Sequence, residues 1–285
     1  MDIRGRRRST NVEDRRGMRI GRPALGIGLG GLAIMLVLSL LGINPLPFMA
    51  GLQQQSPQMQ PSEQPYQEGA EEAALREMTE VVLADTEDTW SEVLPGYGID
   101  YQAPTLVLFA DAVQSECGGA SAASGPFYCP LDQKVYLDMT FYRDLHERFG
   151  APGDFAQAYV IAHEIGHHVQ NLVGTAREVR EQQAQAGQAQ ANDLSVRMEL
   201  QADCFAGVWA NTAQRSRQLL SPGDIDEALA AASAIGDDRI QRQTQGYVVP
   251  DSFTHGTGEQ RQRWFMRGYE AGRPDNCDSF AAAQL

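Results

Sequence analysis

Five consecutive residues, His163-Glu164-Ile165-Gly166-His167, have the types and spacing to hold a metal ion and use it. Histidines four apart project from one face of a helix, so both imidazoles can grip the same ion. Glu164 is rotated by about 100° from His163 and can hang over the open side of the ion without ligating it. The neighbours Tyr159, Val160, Ile161, Ala162, Ile165 and Val169 are too apolar for a solvated helix face. A catalytic zinc needs a third protein ligand and one position left for water. Thirty-two residues past His167 stands Glu199-Leu200-Gln201-Ala202-Asp203, again in apolar company. Buried carboxylates must be paired or coordinated. Glu199 is therefore expected as the third ligand, and Asp203 as the acceptor that fixes the tautomer of a ligating histidine.

One Zn2+ on His163, His167 and Glu199, with Glu164 beside it as general base, is a set for hydrolysing an amide. A second electrophile usually helps hold the developing oxyanion. His255, in the glycine-rich loop Thr254-His255-Gly256-Thr257-Gly258, is the first candidate and Tyr247 the alternative. His168 is expected to point off the metal face, and His146 carries no signal. Cys204 as a ligand is disfavoured because it points away from the face of Glu199.

These residues need helices to carry them. Asp154 with Gln157 reads as a capping box opening the metal helix, and Gly174 as its stop. A helix is expected over 71–94, ending at Pro95, and another from 140 to about 149. Strands are expected at 105–109 and 134–137. The stretch 177–192 reads equally as helix or loop. Leu194 to about Gln214 carries the second half of the site. Pro222 opens a helix ending at Gly236, and Thr257 with Gln260 caps a last one ending near Gly272. The class is α+β, predominantly helical, with one metallopeptidase domain over 71–285.

Charge is unevenly placed along the rest of the chain. The formal net charge is −14, yet residues 1–22 hold eight arginines against three acids, a net of +5. The remainder is thus −19, too acidic for a nucleic-acid partner. No charge occurs between Arg22 and Glu63. A helix over 23–43 would span roughly 30 Å, the thickness of a bilayer's hydrocarbon core. The expectation is a basic cytoplasmic tail at 1–22, a single-pass transmembrane helix at 23–43 and a Gln/Pro-rich linker at 44–70. The catalytic domain then lies outside the cell membrane. Four cysteines suit an oxidising compartment. Cys117 and Cys129 flank a Gly/Pro loop that a bridge would close, leaving Cys204 for Cys277, although four cysteines permit three connectivities.

Taken together, the basic start, the apolar span, Cys117…Phe127-Tyr128-Cys129-Pro130, His163–His168, Glu199–Asp203 and Phe253-Thr254-His255-Gly256 resemble the bacterial putative neutral zinc metallopeptidase family (YpfJ-like). The resemblance covers nearly the whole chain. It implies a zincin-like fold, the ligand set His163, His167 and Glu199, and Glu164 as base. The implied partners are a protein or peptide substrate and the membrane. A zinc-stabilised binding or chaperone-like module, and a hydrolase of a cell-wall amide, are the competing readings.

Overall fold

The computed structural model describes residues 1–20, 59–61 and 66–285. In chain order its strands and helices begin with β1 (Val12–Asp14), β2 (Met18–Ile20), β3 (Met59–Pro61) and α1 (Ala70–Val93). The small sheet region follows with β4 (Thr105–Phe109), β5 (Ala112–Ser115), β6 (Gly118–Ser121), β7 (Phe127–Cys129) and β8 (Lys134–Asp138). The rest is helical: α2 (Thr140–Glu147), α3 (Asp154–Leu172), α4 (Thr175–Gln183), α5 (Gln188–Arg217), α6 (Asp224–Ala234), α7 (Asp237–Gln245) and α8 (Gly258–Ala271). This is a predominantly helical α+β architecture.

β4 is apolar from Leu106 to Phe109 because it is covered on both faces. Leu106 and Leu108 join the main core with the helices, while Val107 and Phe109 face a smaller cluster with Val113, Cys129 and Tyr136. That alternation is the period-two geometry of a strand. The four-stranded sheet runs β1-β4-β8-β7. β1, β4 and β8 are parallel, and β7 lies antiparallel to β8 on the edge. A disulfide from Cys117 to Cys129 ties the β5–β6 hairpin to β7.

The helical layer is organised around α5. Its residue Trp209 stacks on Phe155 of α3 and donates its ring N–H to Asp85 of α1, at 2.8 Å. Arg217, at the end of α5, also grips Asp85. α8 crosses α5 where two glycines meet. A Cβ on Gly268 would fall 1.9 Å from the carbonyl oxygen of Cys204, and one on Gly207 would fall 2.0 Å from that of Phe265. The second disulfide, Cys204–Cys277, secures the C-terminal turn to the same region of α5.

Several local expectations need correction. Asp154 does not cap α3; Gly153, at φ 119°, precedes the helix, and Glu227 of α6 accepts the amide of Phe155 instead. A long-range acceptor has replaced the local one. The ambiguous 177–192 stretch is mostly helix, divided between α4 and the start of α5. α7 and the strands β5 to β7 lacked a periodic pattern because they are short or glycine-rich. The capping box of Thr257 and Gln260 forms with both of its hydrogen bonds.

The larger correction concerns the N-terminus. Residues 1–20 are not a detached basic tail but part of the folded domain. β1 pairs with β4 in the register Val12↔Leu106 to Asp14↔Leu108. Arg7 bridges Glu87 and Asp88 on α1, at 2.8 and 2.7 Å. Arg16 is buried against Asp14, Glu68 and Glu72. Arg6 donates to the carbonyls of Arg217 and Gln218 at the C-terminal end of α5, where a helix favours a cation. The unequal charges of the two segments are mutual partners. Among the described residues no helix is long and apolar enough to cross a membrane. The span expected at 23–43 lies outside the described residues, as does most of the 44–70 linker.

The α5–α8 crossing leaves no room for a methyl group, and overpacking of a filled core typically costs about 1–3 kcal/mol. Gly268→Ala is expected to destabilise the domain by roughly 3 kcal/mol. Gly96→Ala, with nothing within 4 Å of the added carbon, leaves stability unchanged. Urea denaturation followed by circular dichroism checks both.

Candidate metal centre

The centre is assembled where α3 and α5 cross, and Gly166 is the reason they come so close. A Cβ there would meet the carbonyl oxygen of Ala202 at 2.8 Å and its Cα at 3.0 Å. The glycine inside the histidine motif thus lets α5 present Glu199 directly to the two imidazoles. His163 Nε2 lies 3.1 Å from Glu199 Oε2, and His167 Nε2 lies 3.4 Å from Oε1. His163, His167 and Glu199 each offer one atom that could hold a metal ion, and these atoms all fall within 4.8 Å of one another.

Both rings are held in the tautomer a metal requires. His163 donates its Nδ1–H to Asp203 at 2.8 Å. His167 donates its Nδ1–H to the side-chain oxygen of Gln170 at 2.9 Å. The amide nitrogen of Gln170 is committed to the carbonyl of Met198 and to Gln201, so its oxygen must face the histidine. Each imidazole therefore turns its Nε2, the nitrogen that a metal would take on losing its proton, toward Glu199. Two imidazole nitrogens and a carboxylate oxygen on this spacing fit zinc, with the remaining side facing a cleft.

Asp203 is fully buried and saturated with donors. Arg261 contributes Nε at 2.8 Å and Nη2 at 3.0 Å, and the Tyr159 hydroxyl donates to the same oxygen as His163. Burial opposes its charge, but Arg261 and His163 outweigh burial and hold the carboxyl below its usual range. Burial likewise works against a charged His163, yet Asp203 and Glu199 raise it to about 10. His167 is also raised, with Glu199 overcoming burial. Glu199 is lowered well below the carboxylate range, because the two histidines overcome its burial.

A cleft of about 950 Å3 opens over the centre. Glu164 lines it beside His163, His167 and Glu199, and its carboxylate has no hydrogen bond or ion pair among the described residues. His255 also lines the cleft, half-exposed, with Nδ1 at 3.2 Å from Asp237 and 3.0 Å from the Thr254 hydroxyl. The bond to Asp237 raises the pKa of His255 and so favours the imidazolium. Asp237 also accepts the amides of Thr254, His255 and Gly256, which fixes the loop. Tyr247, the alternative to His255, is exposed and does not line the cleft.

His168 is buried on the other side of α3. It donates Nε2–H to the carbonyl of Gln102 and accepts the Tyr128 hydroxyl on Nδ1. Burial pushes it down to about 4, so it is a neutral tie between the metal helix and β7. Cys204 is in a disulfide and is no ligand. A second carboxylate cluster, Asp154, Asp224 and Glu227, has the amino group of Met1 against it, at 2.9 Å from Asp154 and 3.2 Å from Asp224.

Sequence reading missed Arg261, Tyr159, Gln170 and Asp237. Gln170 carried a usable signal, being three residues past His167 on the same helix. Arg261 carried none, since it lies 58 residues from Asp203 and meets it only through the α5–α8 crossing.

A family model described as Putative neutral zinc metallopeptidase matches residues 1–280. The Escherichia coli (strain K12) protein named Uncharacterized protein YpfJ is 48% identical over 286 residues, covering 98% of this chain and 99% of the relative. Uncharacterized protein Mb2605 of Mycobacterium bovis is 48% identical over 206 residues, covering 69% of this chain and 67% of the relative. No solved structure matches the chain.

Asp203→Ala is expected to weaken zinc binding by roughly 10–100-fold, the usual loss when a ligand's orienting partner is removed. Because His163 and His167 are raised in the metal-free chain, zinc must displace protons from them. Affinity is therefore expected to rise with pH from 6 to 8, with protons released on binding. Chelator competition at both pH values, with calorimetry in buffers of different ionisation enthalpy, measures both effects.

Proposed function

Because the chain belongs to the putative neutral zinc metallopeptidase family, we propose that it is a zincin-type peptidase with Glu164 as its general base. The observation that carries this reading is the carboxylate of Glu164, without a partner among the described residues and lining the cleft beside three convergent atoms that could hold a metal. A purely structural metal site has no use for such a group.

When bound, zinc supplies Lewis acidity and lowers the pKa of water to about 7. His163, His167 and Glu199 are the residues that would hold it. In the proposed reaction Glu164 accepts a proton from the attacking water as its oxygen bonds to the peptide carbonyl carbon. The carbon–nitrogen bond then breaks, and Glu164 returns that proton to the departing amine. The His255 imidazolium donates to the oxyanion that develops between these steps. Asp203 and Gln170 keep the two ligand rings in register throughout. The cleft is large enough to take several residues of a peptide.

Attachment to the cell membrane through residues 23–43 is part of the same proposal. The two disulfides support an oxidising location for the catalytic domain.

Glu164→Gln tests the chemistry. General acid–base catalysis is worth about 10²–10⁴-fold, so the variant is expected to lose peptide cleavage by that factor while retaining zinc. Mass spectrometry of cleavage products, with metal content by elemental analysis, gives both readings. Undiminished turnover would contradict the assignment. Absence of turnover in wild type and variant alike would favour a zinc-stabilised binding module, and cleavage confined to cell-wall amides would change the substrate class.

A further inference from the structure

The charge-free stretch of the sequence is bracketed by two strands that are paired with each other. β2 and β3 are antiparallel, with Met18 opposite Pro61 and Ile20 opposite Met59. The chain therefore leaves the domain and rejoins it at neighbouring points. Upstream of β2, the backbone of residues 9–15 is bonded into the domain. Ser9 donates to Glu80, Arg15 donates to Leu108, and Asn11 accepts the amide of Leu106, at 2.7–2.9 Å.

We propose that residues 1–20 and 66–285 lie on the same side of the membrane, and that the protein meets the lipid bilayer from that side alone, through the face carrying the β2–β3 ribbon. The bilayer contact rests on the attachment proposed above; the shared side does not.

Distances decide the point. Hydrogen-bonded strands such as β1 and β4 are about 4.8 Å apart, whereas a bilayer's hydrocarbon core is about 30 Å thick. A membrane cannot lie between them. Charge gives a second, independent reason. Orientation by the positive-inside effect depends on basic residues free to remain in the cytoplasm. Here Arg7, Arg8 and Arg16 are paired with acids of the domain, among them Glu77, Glu87 and Glu72. Ser9 and Asn11 also converge on Glu87, at 2.6 and 2.8 Å. These three arginines thus answer the acidity of the domain and are not free topological signals. The lipid surface is indicated by the sequence between the ribbon strands, which carries no charge from residue 23 to residue 58.

The test uses the full chain and a membrane-impermeant maleimide. All four native cysteines are in disulfides, so an introduced thiol is the reactive one. Thr10 and Gln284 are exposed, and each is changed to cysteine alone. Intact cells and lysed cells are labelled in parallel, and membrane and soluble fractions are assayed for the protein. The expected result is that Thr10→Cys and Gln284→Cys behave alike, both labelled in intact cells or both only after lysis, with the protein in the membrane fraction. Labelling of one thiol but not the other in intact cells overturns the shared side. Recovery in the soluble fraction overturns the bilayer contact. Neither readout depends on peptidase activity, so failure here is distinct from failure of the catalytic proposal.

Discussion

A single buried carboxylate, Asp203, is the point on which the centre depends. It sits without solvent contact among His163, Tyr159 and Arg261, and its charge is tolerable only because all three donate to it. Breaking a buried ion pair by removing one partner typically costs about 3–5 kcal/mol, since the other charge is left unpaired. The same contacts hold Nδ1 of His163 on Asp203 and turn Nε2 toward Glu199. Stability and ligand geometry thus meet in one residue. Arg261 also links that carboxylate to α8, so the last helix of the fold supports the first ligand of the site.

Backbone proximity supplies the other half. Gly166 permits α3 and α5 to approach until Glu199 faces both imidazoles, while Gly207 and Gly268 do the same for α5 and α8. Small residues at two crossings position three helices whose side chains converge. The cleft above them is then bounded on one side by β7, tied to α3 through Tyr128 and His168. The metal helix is held from both faces, by Asp203 and Gln170 near the ligands and by the sheet edge behind.

Much of this was legible in the sequence wherever the determinant was local. The histidine pair, the Glu199–Asp203 pair, the strand at Thr105–Phe109 and the capping box at Thr257 all depend on residues within one or two turns of each other. What escaped detection was set at long range. Asp154 looked like a helix cap until Glu227, from another helix, supplied the acceptor. Arg261 carries no local signal, because only the α5–α8 crossing buries it against Asp203. The N-terminal segment misled most: its basic composition resembled a free tail beside a membrane span. Arg7, Arg8 and Arg16 find acids 50 or more residues away, and no local pattern announces pairing of that kind. Asp2, Glu13 and Asp14 were counted only as offsets to its charge.

The central claim is that His163, His167 and Glu199 share one zinc ion and leave a position for water. X-ray absorption spectroscopy of the zinc-loaded protein at neutral pH tests it most directly. The expected spectrum has two imidazole ligands and oxygen donors at about 2.0–2.2 Å, no sulfur, and an oxygen that small anionic inhibitors displace. A coordination shell filled by four protein atoms and unchanged by such inhibitors would contradict the account.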